Sequence, residues 1–208
     1  MGGAVVHGPH PGRDVPSRPW TWLDQRHEAK VVVVTSAGEH AGSAADGAVT
    51  AVPGAALVVR TADCAPVALL SAEAVGIAHA GWRGLCLGVV EATVAAVRDV
   101  GAGTIRAQVG PCISPAHYEF GDDELDEVAA RYGQEVRSTT DDGRPALDLV
   151  AGVVAALRRS GVEHVTVDGR CTATDADRFF SHRARRDLGR QGSFVWLGAS
   201  DGRTGKLR

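Results

Sequence analysis

From Ala29 to Gly198 the chain alternates short β-branched runs with longer amphipathic stretches, and neither a repeat nor a low-complexity linker breaks the series. Strands and helices interleaved in this way must share one core, which restricts the fold to a single continuous α and β domain. Strands are expected over Lys30 to Thr35, Gly47 to Val52, Leu57 to Thr61, Val75 to His79, Ile105 to Val109, His164 to Asp168 and Gly192 to Leu197. Helices are expected over Leu85 to Val100, Asp122 to Tyr132 and Leu147 to Ser160, each followed by a glycine. The ends differ: residues 1 to 19 hold four prolines and read as an extended or partly disordered lead-in, and residues 199 to 208 read as a solvated tail.

A length of 208 residues with 44% hydrophobic residues suits one domain better than two. A formal charge of −3 offers no general attraction to nucleic acid or anionic lipid, so the expected partner is a small molecule. No apolar stretch reaches the roughly 18 residues needed to span a bilayer, and Met1 to Arg18 lacks the apolar segment of a signal peptide. A cytoplasmic location is expected. The four cysteines, 64, 86, 112 and 171, sit in a chain too core-rich to need disulfide staples, which leaves metal binding or catalysis to consider.

Two polar islands interrupt the apolar pattern, Thr61-Ala-Asp-Cys64-Ala-Pro66 and His79-Ala-Gly-Trp-Arg-Gly84, each after a β-like run. Cys64 and His79 thus fall at strand ends, where a thiolate and an imidazole can hold a borderline metal. The plainer readings are a buried cysteine acting as a small hydrophobe and a core histidine beside a packing tryptophan. A cysteine hydrolase with Cys64 as nucleophile and His79 as base uses the same pair. Arg83, flanked by glycine, offers a planar fork for phosphate or carboxylate, or an ordinary surface ion pair. Cys112 also ends a strand, whereas Cys86 lies within a helix and reads as packing. Phe179 and Phe180 stand beside Ser181, His182 and Arg183, either as a ligand-stacking wall with an anion contact or as core anchors below a solvated turn. His27, one of eight histidines, has no distinction by spacing.

An ordered set of motifs changes that picture. Gln25-x-His27, Ala45-Asp46-Gly47, Thr61-Ala-Asp-Cys64-x-Pro66, His79-Ala-Gly-Trp-Arg-Gly84, Gly110-Pro-Cys-Ile113 with Tyr118-Glu119, Cys171-Thr172, Phe179-Phe-Ser181-x-Arg183 and Gly189-Arg-Gln191 follow one another here. The chain thereby resembles the laccase-domain family, also called multicopper polyphenol oxidase-like or YfiH-like, which includes zinc-dependent purine nucleoside phosphorylases. The resemblance implies an α+β fold, one domain over about residues 20 to 198, with a mixed β-sandwich core flanked by helices. It implies zinc held by His27, Cys64 and His79, with copper the less favoured metal because eight histidines fall short of blue and trinuclear copper sites. The implied reaction is phosphorolysis of adenosine, inosine, guanosine or methylthioadenosine, with adenosine deamination as a second activity, in a monomer or homodimer. Cys64, His79 and Arg83 would carry the chemistry, with Asp63, Cys112, Phe180 and Arg183 around the substrate. The alternatives are a metal-binding, non-catalytic or regulatory member, and copper-dependent oxidation of phenols.

The sequence departs from the family at its start, where Met1 to Trp20 shows no counterpart to an arginine- and glycine-containing segment common in members. Loss of an edge strand, a helix and an active-site arginine is the corresponding expectation. Glu28 also stands where a glycine is common, and His182 where an aromatic is.

Overall fold

The protein is described here from a computed structural model covering residues 3–8, 15–17 and 19–198. The strands are β1 (Gly3–Gly8), β2 (Thr21–Asp24), β3 (Val31–Val34), β4 (Ser43–Ala44), β5 (Gly47–Thr50), β6 (Ala56–Thr61), β7 (Ala65–Leu70), β8 (Val75–Ala80), β9 (Arg106–Val109), β10 (Arg137–Thr139), β11 (Pro145–Leu147), β12 (His164–Val167) and β13 (Gln191–Leu197). The helices are α1 (Trp82–Leu87), α2 (Val89–Val100), α3 (Asp122–Tyr132), α4 (Leu149–Arg159) and α5 (His182–Arg185). A five-stranded sheet in the order β1-β13-β6-β2-β4 faces a six-stranded sheet in the order β12-β9-β7-β8-β5-β3, and β10 pairs with β11 apart from both.

The period of two in the strands decides which side chain enters which layer. Leu57, Val59, Val195 and Leu197 from one sheet meet Val32, Val34, Ala68, Val75 and Ile77 from the other in a buried seam. The intervening residues of the six-stranded sheet, Val49, Val67, Leu69, Ala78 and Val109, point the opposite way, into a second core with Val90, Val94 and Val97 of α2 and Val153 and Leu157 of α4. Strands covered on both faces lose alternation in hydropathy, which explains why β7 and β8 are apolar nearly throughout. Outside the five-stranded sheet, Phe194 and Trp196 are covered by Val15 and Trp20, with Trp20 edge-on to Phe194 at 5.0 Å. The result is a mixed β-sandwich flanked by helices, as the motifs imply. No helix among the described residues is long and apolar enough to cross a membrane.

Three sequence expectations need correction. The stretch Leu85 to Val100 is two helices, because Gly88 adopts φ 93°, a left-handed conformation that ends α1 and starts α2. Pro66 hid β7, which lies between β8 and β9; Pro66 stands one residue beyond the Val67–Val109 pair, at the end of the ladder, where its carbonyl accepts the Gly110 N–H at 2.9 Å and its missing N–H lets the pairing go no further. Residues 3–8 of the lead-in form β1, which pairs antiparallel with β13 and supplies an edge strand to its sheet. Arg13, Arg18 and the tail from residue 199 lie outside the described residues.

Candidate functional site

The two sheets bring three ligating side chains together at one end of the sandwich. His27 follows β2 of the five-stranded sheet, Cys64 lies in the link from β6 to β7 that crosses between sheets, and His79 stands near the end of β8 in the six-stranded sheet. Their ligand atoms all lie within 4.8 Å of one another, and among the described residues no second group of three His, Cys, Asp or Glu donors converges in this way. The His27 and His79 rings meet at 4.7 Å between centroids and 68° between planes.

A buried carboxylate positions both histidines. Asp46, 0% exposed between β4 and β5, accepts the backbone N–H groups of Arg26 and Glu28 on Oδ2, at 3.0 and 2.9 Å. Its Oδ1 accepts the His27 N–H at 3.0 Å and His79 Nδ1 at 2.7 Å. Three consecutive amides wrapped on one acid hold His27 at φ 59°, which a non-glycine residue rarely adopts unsupported. The bond to His79 commits Nδ1 as the donor and leaves Nε2 for a metal, the arrangement in which a carboxylate orients a ligating imidazole. Gln25 prepares the same turn by closing two bonds with the Arg60 backbone, Nε2 to the carbonyl at 2.8 Å and Oε1 from the N–H at 2.9 Å.

Cys64 is presented by a second buried acid. Asp63, 7% exposed at φ 93°, accepts Thr172 Oγ1 at 2.8 Å, Ser181 Oγ at 2.6 Å and the Arg183 N–H at 2.6 Å, while its carbonyl accepts the Ile113 N–H at 2.9 Å. These internal donors occupy the carboxylate, so Asp63 acts here by fixing a strained turn. Gly81 completes the cradle: a Cβ there would stand 2.6 Å from His27 Nδ1 and 3.0 Å from Cys64 Sγ. Two imidazoles, one thiolate and an oriented second shell fit a metal ion.

Electrostatics agree with that fit. Burial opposes charge on His79, but the Cys64 sulfur and the Asp46 carboxylate outweigh it and raise the imidazole to about 9. Burial likewise opposes ionisation of Asp46, yet its bonds from His79 and from the Glu28 and Arg26 amides hold it below the usual carboxylate value. His27 is pushed down, by desolvation of its ring first and then by His79 and Arg83 against the pull of Asp46. The buried surroundings of His79 thus favour positive charge.

The triad opens into a cavity of about 580 Å³, a size suited to a small-molecule ligand. Arg60, Arg83, Arg183 and Arg190 line it together with Trp82, Tyr118 and Leu188. Arg83 lies over the Trp82 ring at 4.4 Å and Arg183 over the Tyr118 ring at 4.6 Å, with Arg183 Nη1 donating to the Glu119 carbonyl at 2.6 Å. Leu188 is 94% exposed at the mouth. Of the residues proposed from sequence, His27, Asp63, Cys64, His79, Arg83 and Arg183 all line the cavity, and Cys112 and Phe180 do not. Cys112 is buried, lining a separate small cavity, and the Phe180 ring packs where a Gly189 side chain would stand. Phe179 is buried beneath the Arg170 guanidinium. Sequence reasoning named Asp46 only as part of a turn, and missed Arg60, Tyr118, Leu188 and Arg190 as cavity walls. The pairing of Arg60 with Gly192, which sets Arg190 beside the end of β6, was the missing information.

Similarity to known proteins agrees with this geometry. Residues 12–198 match the family described as multi-copper polyphenol oxidoreductase laccase. The purine nucleoside phosphorylase Rv2149c of Mycobacterium tuberculosis is 40% identical over 188 residues, covering 88% of this chain and 74% of its own. The purine nucleoside phosphorylase YfiH of Escherichia coli is 37% identical over 188 residues, with coverages of 88% and 76%. Among solved structures, the Neisseria meningitidis protein NMB0706 superposes with a TM-score of 0.78 at 33% identity, covering 87% of this chain and 76% of that one. YlmD from Geobacillus stearothermophilus gives 0.77 at 32% identity, with coverages of 86% and 74%. With sandwich, ordered motifs and relatives in agreement, the chain belongs to the multi-copper polyphenol oxidoreductase laccase family.

Proposed function

We propose that this protein is a zinc-dependent purine nucleoside phosphorylase acting on adenosine, inosine, guanosine and methylthioadenosine, with adenosine deamination as a side activity. The observation that carries the reading is a metal-competent His27–Cys64–His79 cluster opening into a nucleoside-sized cavity ringed by four guanidinium groups. Relatives at about 40% identity bear the name purine nucleoside phosphorylase.

Bound by His27, Cys64 and His79, zinc supplies Lewis-acid chemistry at the cavity floor. In the overall reaction a phosphate oxygen bonds to the anomeric carbon, the bond from that carbon to the purine nitrogen breaks, and the base leaves with the electron pair and takes up a proton. Arg83 and Arg183 draw the phosphate dianion into the cavity and hold it against the positive charge that develops on the sugar. The Tyr118 and Trp82 rings and Leu188 supply apolar contact for the base. Asp46 and Asp63 keep the ligands in place. Cys112 and Phe180 act indirectly, Cys112 through the loop that bonds Asp63 and Phe180 through its contact with Gly189. We place the protein in the cytoplasm, as a monomer or homodimer, with no nucleic-acid or membrane partner.

The test is base release from inosine and adenosine by zinc-loaded protein, with and without phosphate, for wild type and Cys64→Ala. Phosphate-dependent release that disappears in the variant is expected; equal rates in the two proteins would remove Cys64 from the mechanism. The family description favours a second reading, copper-dependent oxidation of phenols. One cluster of three donors among the described residues falls short of the several copper sites such chemistry uses, which is why phosphorolysis is preferred.

A further inference from the structure

Of the three cysteines outside the metal cluster, two, Cys112 and Cys171, lie opposite each other on neighbouring segments. Cys112 follows β9 and Cys171 follows β12, and the two form a parallel bridge in which the Thr172 N–H donates to the Cys112 carbonyl at 3.1 Å. Segments paired in this way run about 4.8 Å apart, with opposed side chains on one side, and a disulfide requires a Cα separation of roughly 4.4–6.8 Å. The geometry points to an oxidisable dithiol: we propose that hydroperoxides convert Cys112 and Cys171 into an intramolecular disulfide.

The two sulfurs differ in the way such a reaction needs. Cys171 is partly exposed, and its Sγ accepts the Ser114 N–H at 3.3 Å and the Ser114 hydroxyl at 3.2 Å. Burial raises the Cys171 thiol, but these bonds and those from the Ala173 and Thr174 amides prevail and hold it below its ordinary value. Cys112 is buried, and burial keeps its thiol protonated. Because Cys171 is partly exposed, an oxidant as small as hydrogen peroxide reaches it from solvent, while the buried Cys112 lines a separate cavity of about 170 Å³.

Cys171 is therefore the attacking thiolate and Cys112 the resolving thiol. The Cys171 sulfur bonds to one peroxide oxygen as the O–O bond breaks, the other oxygen leaves as water after taking a proton, and a sulfenic acid remains. The Cys112 sulfur then bonds to the Cys171 sulfur, the S–O bond breaks, and a second water departs with the Cys112 proton. Two electrons pass from the thiols to the peroxide, giving one disulfide and two waters. The bond would form directly behind the Cys64 turn, because the residues after each cysteine, Ile113 and Thr172, both hydrogen-bond Asp63.

Trypsin separates all four cysteines, placing Cys112 in peptide 107–131 and Cys171 in peptide 171–178. Metal-loaded protein is treated with hydrogen peroxide, alkylated, digested and analysed by mass spectrometry without reduction. The expected product is a cross-linked pair of these peptides, about 2 Da lighter than their sum and separated again by dithiothreitol. In Cys171→Ser, Cys112 should stay fully alkylatable after peroxide; in Cys112→Ala, Cys171 should yield a dimedone-trapped sulfenic acid instead of the bridge. Undiminished alkylation of both cysteines in the wild-type protein overturns the proposal without reliance on either variant. So does a bridge that runs through Cys64 or Cys86.

Discussion

Asp46→Asn is the most searching perturbation of this site, since it keeps the volume of the side chain and changes only what it can accept. In the native protein each carboxylate oxygen serves two donors: Oδ2 takes Arg26 and Glu28, and Oδ1 takes His27 and His79. An asparagine offers one oxygen and one NH₂ group, so one pair of donors must face another donor whichever way the amide turns. Keeping the oxygen toward His27 and His79 abandons the Arg26 and Glu28 amides. Each charge-assisted bond lost at a buried acceptor costs about 1.5–3 kcal/mol, for a total of about 3–6 kcal/mol of stability. Release of those amides frees the His27 turn from its left-handed conformation, while a neutral amide oxygen replaces the carboxylate behind the His79 ring, and weakening of such an orienting partner lowers metal affinity about 10–100-fold. Urea unfolding of the metal-free proteins measures the first quantity, and competition with a chromophoric zinc chelator measures the second. Metal affinity within about twofold of wild type, with a stability loss below about 1 kcal/mol, would refute the assignment of Asp46 as the organiser of both ligands.

Gly81→Ala should lower zinc affinity about tenfold or more in the same competition, because its Cβ would intrude on His27 and Cys64, while the metal-free melting curve stays close to wild type since Gly81 has the extended angles φ −79° and ψ 163°. Gly88→Ala should cost about 1–2 kcal/mol in urea unfolding, as the substituted residue must adopt φ 93° between α1 and α2. His7 in β1 bonds Ser193 through Nδ1 and leaves a buried Nε2 without a partner among the described residues, and burial lowers it to about 4. Its folded value lies below the unfolded one, so it contributes nothing above about pH 6.5, and stability falls as the unfolded chain binds the proton between there and about pH 4. Between pH 7 and 4.5 the wild type should therefore lose about 2.5 kcal/mol more than His7→Gln in urea titrations; parallel losses in the two proteins would contradict the argument.

Much of this architecture was legible where one physical cause dominated. Helix α3 has the bounds its acidic start and closing glycine indicate, and β8 and β5 announce themselves as β-branched or small-residue runs covered on both faces. The failures share a different cause, since each depends on a partner distant in sequence. Pro66 reads as a strand breaker until β9 is seen to stop one residue short of it. His27 has no local mark as a ligand because its conformation is imposed by Asp46, and that relation reached the sequence reading only through an ordered family motif. Arg60 and Arg190 read as unremarkable surface cations until the β6–β13 register sets them at the same cavity edge. The expected loss of an edge strand failed for the same reason: a Gly- and Val-containing lead-in acquires β structure from the free flank of β13.

The three ligands hang from both halves of the sandwich, His27 from the five-stranded sheet, His79 from the six-stranded one, and Cys64 from the crossing between them. An ion held there is a cross-link between layers otherwise joined by apolar contact, and its binding free energy becomes part of the free energy of folding. Each tenfold excess of free metal over the dissociation constant should add about 1.4 kcal/mol to resistance against unfolding, so melting temperatures of this protein have meaning only at a stated metal activity. Chelators should then act as denaturants, and substitutions at His27, Cys64 or His79 should reduce the amount of folded protein at a fixed metal activity.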